Sequence, residues 1–265
     1  MTQTTQASDA SQPILIAREN GVLTITINRP ERKNALTPAM YAAMNDALAS
    51  AHEDRSVRVV LFRGAAGIFT AGNDIEDFLK TPPSSGDSPV MRFLDAIASA
   101  QKPLVAAVSG AAIGVGTTML LHCDLVYADD TARFAMPFTQ LGLCPEAASS
   151  LLLPRIAGYQ GAAEKLLLGE TFDAAEAHRI GFVNRVLPAV EFEAFVAAQV
   201  AKLVALPAGS LRVTKGLMKR ASEAEVKARI AEESGHFRTL LVAPEAREAF
   251  TAFLQKRKPD FRQFD

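Results

Sequence analysis

The stretch Lys102–Asp124, KPLVAAVSGAAIGVGTTMLLHCD, constrains the fold more than any other part of the chain. Leu104–Val108 is a short apolar run between turn signals, the pattern of a buried strand. Ser109-Gly110 and Gly114-Val115-Gly116 follow, and then an apolar helical run, Thr117–His122. A strand that turns through glycines into a helix leaves backbone N–H groups without partners. The helix dipole favours negative charge at that end. Such a turn can hold an oxyanion without any charged side chain, provided a second donor and a reacting group converge on it. Taken alone, the same letters are satisfied by a tight turn that serves only packing.

A chain of 265 residues with 49% hydrophobic content can bury a sizeable core, as one large domain or a domain with a small appendage. Its net charge of −1 favours neither nucleic acid nor an anionic membrane surface. Cys123 and Cys144 form no disulfide or metal pattern, so a reducing compartment, the cytoplasm, is expected. No apolar run approaches the ~18 residues of a membrane span. Residues 1–12 lack the basic and apolar regions of a signal peptide and read as a disordered tail.

In chain order, Ile14–Ala17 and Val22–Ile27 predict a hairpin through Asn20-Gly21. Thr37-Pro38 starts a helix whose buried face is Met40, Met44, Ala47 and Ala51. Val57–Phe62 is a strand that runs into a second small-residue turn, Phe69–Asp74. Asp74 then caps a helix over Ile75–Lys80. Thr81–Pro89 reads as a mobile loop able to cover a ligand. Leu125–Ala128 and Ala132–Phe134 are short strands. Pro145-Glu146 opens a helical run, Ala147–Leu153, ended or kinked by Pro154. Gly161–Leu168 and Asp173–Ile180 are helices closed by Gly169 and Gly181, and Phe182–Leu187 is a late strand. The rest is helical, over Val190–Leu206, Ser210–Arg220, Ser222–Leu241 and Pro244–Lys256, with Ser222 and Glu225 as a capping box. The order is mixed α/β first and all-α afterwards, with a soft boundary near residue 205.

Single motifs say little about chemistry. Met119 stands where a dinucleotide fingerprint needs its third glycine. There is no G-x-S-x-G elbow, and the four histidines show no metal-ligand spacing. Cys144 suits a buried inert thiol better than a nucleophile.

As a set, the motifs resemble the crotonase (enoyl-CoA hydratase/isomerase) superfamily. The set comprises Asn28-Arg29-Pro30 with Lys33–Leu36, Phe69–Asp74, Gly110–Gly116, Cys123-Asp124, Ala175–Val183, and Ala252-Phe253 with Lys256–Pro259. The resemblance implies a spiral of ββα units over residues 13–205 and a C-terminal helical trimerisation region over 206–265. It implies an acyl-coenzyme A thioester as ligand, with no cofactor or metal beyond it, and a homotrimer or dimer of trimers. The oxyanion hole would be the backbone N–H groups of Asn73 and Val115. Lys33, Ala71, Ile75, Phe138, Phe253 and Lys256 would contact the substrate.

The two glutamates that hydratases place around a water fall here on Thr118 and Phe138, neither of which can be a carboxylate acid or base. Glu146, in Leu141–Ser150, resembles instead the base of the Δ3,Δ2-enoyl-CoA isomerase branch, particularly the peroxisomal type. Ala147 replaces the glycine of that branch's Pro-Glu-Gly. The implied reaction, of the kind used in fatty-acid β-oxidation, moves one proton along the acyl chain. A raised pKa of Glu146, produced by Phe138 and Leu141, would suit it. From the letters alone, Glu146 reads first as a helix-start acid beside Pro145 that stabilises the dipole. Alternatives are hydration or thioester hydrolysis on the same scaffold, or an inert acyl-CoA-binding or RNA-binding relative.

Overall fold

Asn20 and Gly21 take φ values of 49° and 80°, the left-handed pair that a two-residue hairpin turn requires. They fold β1 (Ile14–Glu19) antiparallel onto β2 (Val22–Ile27), with Ile14 opposite Ile27. The computed structural model describes residues 12–80 and 87–264; the polar tail up to residue 11 and residues 81–86 of the expected mobile loop lie outside it.

α1 (Pro38–Glu53) begins as its letters predict. The Thr37 hydroxyl accepts from the Met40 amide at 3.4 Å, and Met40, Met44, Ala47 and Ala51 are buried. β3 (Val59–Gly64) and α2 (Ile75–Lys80) follow, α2 capped by the Asp74 carboxylate. Pro89–Ser99, to which the sequence reading assigns no element, forms α3. Next come β4 (Leu104–Val108), β5 (Ala111–Ile113) and α4 (Val115–Thr118), which tightens into a 3₁₀ turn over Met119–His122. β6 (Leu125–Asp129) and β7 (Arg133–Ala135) complete the first half.

α5 (Ser149–Ala163) differs from expectation at both ends. It starts two residues late because Ala147 and Ala148 are left-handed, and Pro154 is carried inside it. Proline keeps a helical φ and removes one hydrogen bond, whereas the positive φ of 73° at Gly158 marks the kink. The expected helix from Gly161 is its continuation, ending as a π turn over Glu164–Leu168.

β8 (Phe172–Asp173), α6 (Ala174–Arg179), β9 (Arg185–Leu187), α7 (Ala189–Ala205), α8 (Ala208–Arg220), α9 (Glu223–Leu241) and α10 (Pro244–Leu254) close the chain. The capping box is not formed. The Ser222 hydroxyl donates to the Lys219 carbonyl at 3.2 Å, and Glu225 pairs with Arg155.

The main sheet runs β1-β2-β3-β4-β6-β9, antiparallel only between β1 and β2, while β5, β7 and β8 form a second sheet. β4 is buried on both faces, which is why it reads as an unbroken apolar run. Val105 and Ala107 face Phe192, Val196 and Val200 of α7. Leu104, Ala106 and Val108 belong to the larger core on the other face, which also takes Phe237 and Leu241 from α9 and Phe250 from α10. Among the described residues no single helix is long and apolar enough to cross a membrane.

Candidate active site

Asn34 builds the first glycine turn. It is fully buried at φ 58°, and its amide donates to the carbonyls of Ala65 at 3.0 Å and Ile68 at 2.6 Å. Phe69-Thr70 is thereby laid beside β5. Thr70 N–H donates to Ala111 at 2.8 Å, and Ile113 N–H donates to Thr70 at 3.0 Å. The turn follows at Gly72, φ 87°, where a Cβ would stand 2.7 Å from the Ile113 carbonyl oxygen. A glycine is needed for that close approach as well as for the conformation.

Asn73 and Val115 come directly after the two turns. Leu36 donates to the Gly72 carbonyl at 2.8 Å and accepts from the Asp74 amide at 2.9 Å. Both neighbours of Asn73 therefore point to Leu36, and the Asn73 N–H points the other way. Val115 opens α4, where an N–H has no intrahelical acceptor. Among the described residues neither amide has a backbone acceptor. The Tyr41 hydroxyl donates to Asn73 Oδ1 at 2.7 Å and ties this turn to α1. Asp74 is buried, which disfavours its charge, but Arg29 at 2.6 Å, the α2 amides and Arg32 hold its carboxyl below the usual range.

Glu146 stands on the loop before α5, not in its first turn, so the role of helix-start acid does not hold. The loop is tied down on several sides. The Thr118 hydroxyl donates to the Glu146 carboxylate. The Ser149 amide and hydroxyl donate to the Glu146 carbonyl at 3.0 and 2.6 Å. His122 Nε2 lies 2.8 Å from the Ala147 carbonyl. Burial pushes His122 down to about 4, so the ring is neutral at pH 7 and Nε2 carries the donated proton. From α9, the Glu233 carboxylate accepts from the amides of Ala148 and Ser150 at 2.6 and 3.0 Å.

Glu146 shares a cavity of about 40 Å³ with Asn73. Its apolar wall is Val90, Met91 and Leu94 of α3 with Phe237 of α9. Phe138 and Leu141, the neighbours expected to raise Glu146, do not line the cavity; Phe138 packs edge-on against Phe237, with ring centroids 6.5 Å apart. Burial raises Glu146 to about 8; the Thr118 hydrogen bond opposes that rise and the Glu233 charge adds to it. Val115 does not line this cavity; its link to Glu146 is through α4, whose Thr118 holds the carboxylate. A carboxylate of this kind, sharing a cavity with Asn73 and shielded by apolar side chains, is suited to moving a proton next to a carbonyl. A wider cavity of about 400 Å³ lies against Thr24, Thr26, Arg63 and Glu193 and shares no lining residue with this one.

The other expected contacts divide in two. The Ala71 amide donates to the Lys33 carbonyl at 3.0 Å, so these residues adjoin each other and the Gly72 turn, with Ile75 opening α2 beyond. Phe253 and Lys256 are exposed near the end of α10, and neither lines the Glu146 cavity. Sequence reasoning missed α3, His122 and Glu233. The signal for Glu233 was present: it falls on the buried stripe of α9 with Ile230, Ser234, Phe237 and Leu241, a charged residue at a core position.

A sequence profile of the family described as enoyl-CoA hydratase/isomerase matches residues 17–264. Enoyl-CoA delta isomerase 2 of Rattus norvegicus is 36% identical over 94% of this chain, which spans 65% of that protein. The 2,3-dehydroadipyl-CoA hydratase of Escherichia coli is 35% identical over 94% of this chain and 98% of its own. The crystal structure of an enoyl-CoA hydratase/isomerase from Pseudoalteromonas atlantica superposes with a TM-score of 0.90 at 43% identity, covering 94% of this chain and 100% of that one. Fold and site thus define the crotonase class. The chain belongs to the enoyl-CoA hydratase/isomerase family.

Proposed function

We propose that this protein converts 3-enoyl-CoA to 2-trans-enoyl-CoA, with Glu146 as the single proton shuttle. The observation that carries the reading is that Glu146 is the one acid among the described residues lining its cavity. Thr118 and Phe138 occupy the positions that resemblance gives to the hydratase glutamates, and Thr118 serves Glu146 through its hydroxyl. Similarity to an isomerase and to a hydratase at near-equal identity gives the family, and the carboxylates favour isomerisation.

In this reading the thioester oxygen accepts from the amides of Asn73 and Val115. Glu146 takes the proton from C2, and the C–H electron pair passes into a dienolate whose charge rests on that oxygen. The protonated carboxyl then returns the proton to C4; the electrons of the 3,4 double bond form the new C–H bond, and the double bond settles at 2,3. One oxyanion donor commonly supplies about 3 kcal/mol of transition-state stabilisation. Lys33, Ala71 and Ile75 would meet the coenzyme A moiety, as would Phe253 and Lys256, in some assemblies from a neighbouring subunit. A homotrimer or dimer of trimers belongs to the same reading, and exposed Val213, Leu217 and Met218 on α8 offer apolar surface for such an assembly.

The test offers one sample 3-enoyl-CoA and 2-enoyl-CoA in parallel. Conversion of the first with little water added to the second is expected. Rapid hydration of the second with the first untouched would overturn isomerisation in favour of the hydratase reading.

A further inference from the structure

Glu233 lies on α9, in the helical region that resemblance assigns to assembly, yet it is 5% exposed and faces the loop of Glu146. Its Oε2 accepts from the Ala148 amide at 2.6 Å, and its Oε1 accepts from the Ser150 amide at 3.0 Å and the Ser150 hydroxyl at 2.5 Å. A buried carboxylate is unfavourable unless donors satisfy it, and all three of these donors come from the segment immediately after Glu146. That segment contains two consecutive left-handed alanines, Ala147 at φ 58° and Ala148 at φ 55°, a conformation that non-glycine residues hold only when their surroundings enforce it. The Cys144 thiol also donates to the Glu233 carbonyl at 3.6 Å, a second tie between α9 and the loop.

We propose that Glu233 is a positioning residue for the reaction: its carboxylate clamps the Ala147-Ala148 turn, so that the C-terminal helices set where the Glu146 base stands. This rests on the reading of Glu146 as the base. The clamp also places a second acid beside it; burial raises the Glu233 carboxyl, and its hydrogen bonds from Ser150 and Ala148, with Arg229, favour the charged form against that rise. The other titratable or charged groups around the loop are the Tyr41 hydroxyl on α1, neutral His122 after α4, the Cys144 thiol, pushed up to about 11, and Arg229 and Arg238 on α9. The Glu233 charge raises the proton affinity of Glu146.

The test is Glu233→Gln in the full-length protein, assayed with 3-enoyl-CoA beside the wild type. Gln keeps the volume, removes the charge and sets an NH₂ against one of the two loop amides. We expect kcat to fall at least tenfold with KM within about twofold, and the acid limb of the kcat–pH profile to move to lower pH. Glu233→Asp, which keeps the charge, should lower kcat and leave that limb in place. If Glu233→Gln unfolds, Ser150→Ala, which leaves every charge in place, should lower kcat several-fold at constant KM. A folded Glu233→Gln with wild-type kcat and an unmoved pH limb would overturn the proposal, as would an unaffected Ser150→Ala. If the wild type hydrates 2-enoyl-CoA instead, the functional reading fails and the same variants are read on that reaction. A wild type inactive on both substrates would sink both.

Discussion

Thr118 donates its hydroxyl hydrogen bond to the Glu146 carboxylate from the end of α4, the same short helix that Val115 opens. A single helical turn thus joins an amide suited to the thioester oxygen with the side chain that holds Glu146, the proposed base. Removing the hydroxyl takes away an interaction that favours the charged carboxylate. Hydrogen bonds to charged groups contribute roughly 1.5–3 kcal/mol. Thr118→Val is therefore expected to lower kcat/KM at pH 7 by about tenfold or more and to move the acid limb of the pH profile upward. The shift is opposite to that expected of Glu233→Gln. Steady-state kinetics from pH 5 to 10 checks both.

The wild-type profile has its own sign. A base works deprotonated, so with Glu146 raised to about 8, kcat/KM should climb as pH rises through about 8 and level off above it. A profile flat from pH 5 to 9 would contradict this.

Stability should run the other way. Because the folded-state pKa is raised from 4.5 to about 8, the native protein holds a proton that the unfolded chain releases within that window. The stability associated with it is complete below 4.5 and declines as pH rises to about 8. One pKa unit corresponds to about 1.4 kcal/mol, and access to the cavity reduces the full effect. Glu146→Gln should thus gain about 2 kcal/mol on the wild type between pH 5 and pH 9, measured by urea denaturation at both.

Gly72→Ala should impair the amide of Asn73 more than it impairs folding. Its Cβ would stand 2.7 Å from the Ile113 carbonyl oxygen at φ 87°, forcing the turn away from β5. Misplacing one oxyanion donor costs about a hundredfold in kcat, and the left-handed alanine destabilises by about 1–2 kcal/mol. Kinetics on the folded variant, with a thermal melt, separates the two effects.

The sequence is most informative where the physics is local. Asn20-Gly21 and Thr37-Pro38 determine their turn and helix start through neighbours a few residues away, and both are formed as read. α3 was legible too, since Ser88-Pro89 is a helix start and Phe93, Leu94 and Ile97 share its buried face. Glu146 is different. Its letters suit a helix start, and only the family resemblance singles it out as a base. What shapes its loop is remote: the Ala148 amide meets a carboxylate 85 residues further along the chain, and the Ala147 carbonyl meets His122. No periodicity or turn propensity encodes that left-handed pair, because its cause is tertiary.

The central claim is that one carboxylate carries the proton, and the most direct measurement is single-turnover conversion of 3-enoyl-CoA by Glu146→Gln, with acyl-CoA affinity measured on the same sample. General acid–base groups commonly contribute between a hundredfold and ten-thousandfold. The account predicts a rate lower by about a thousandfold with affinity nearly unchanged. A folded, substrate-binding variant that still isomerises within tenfold of the wild-type rate would contradict it.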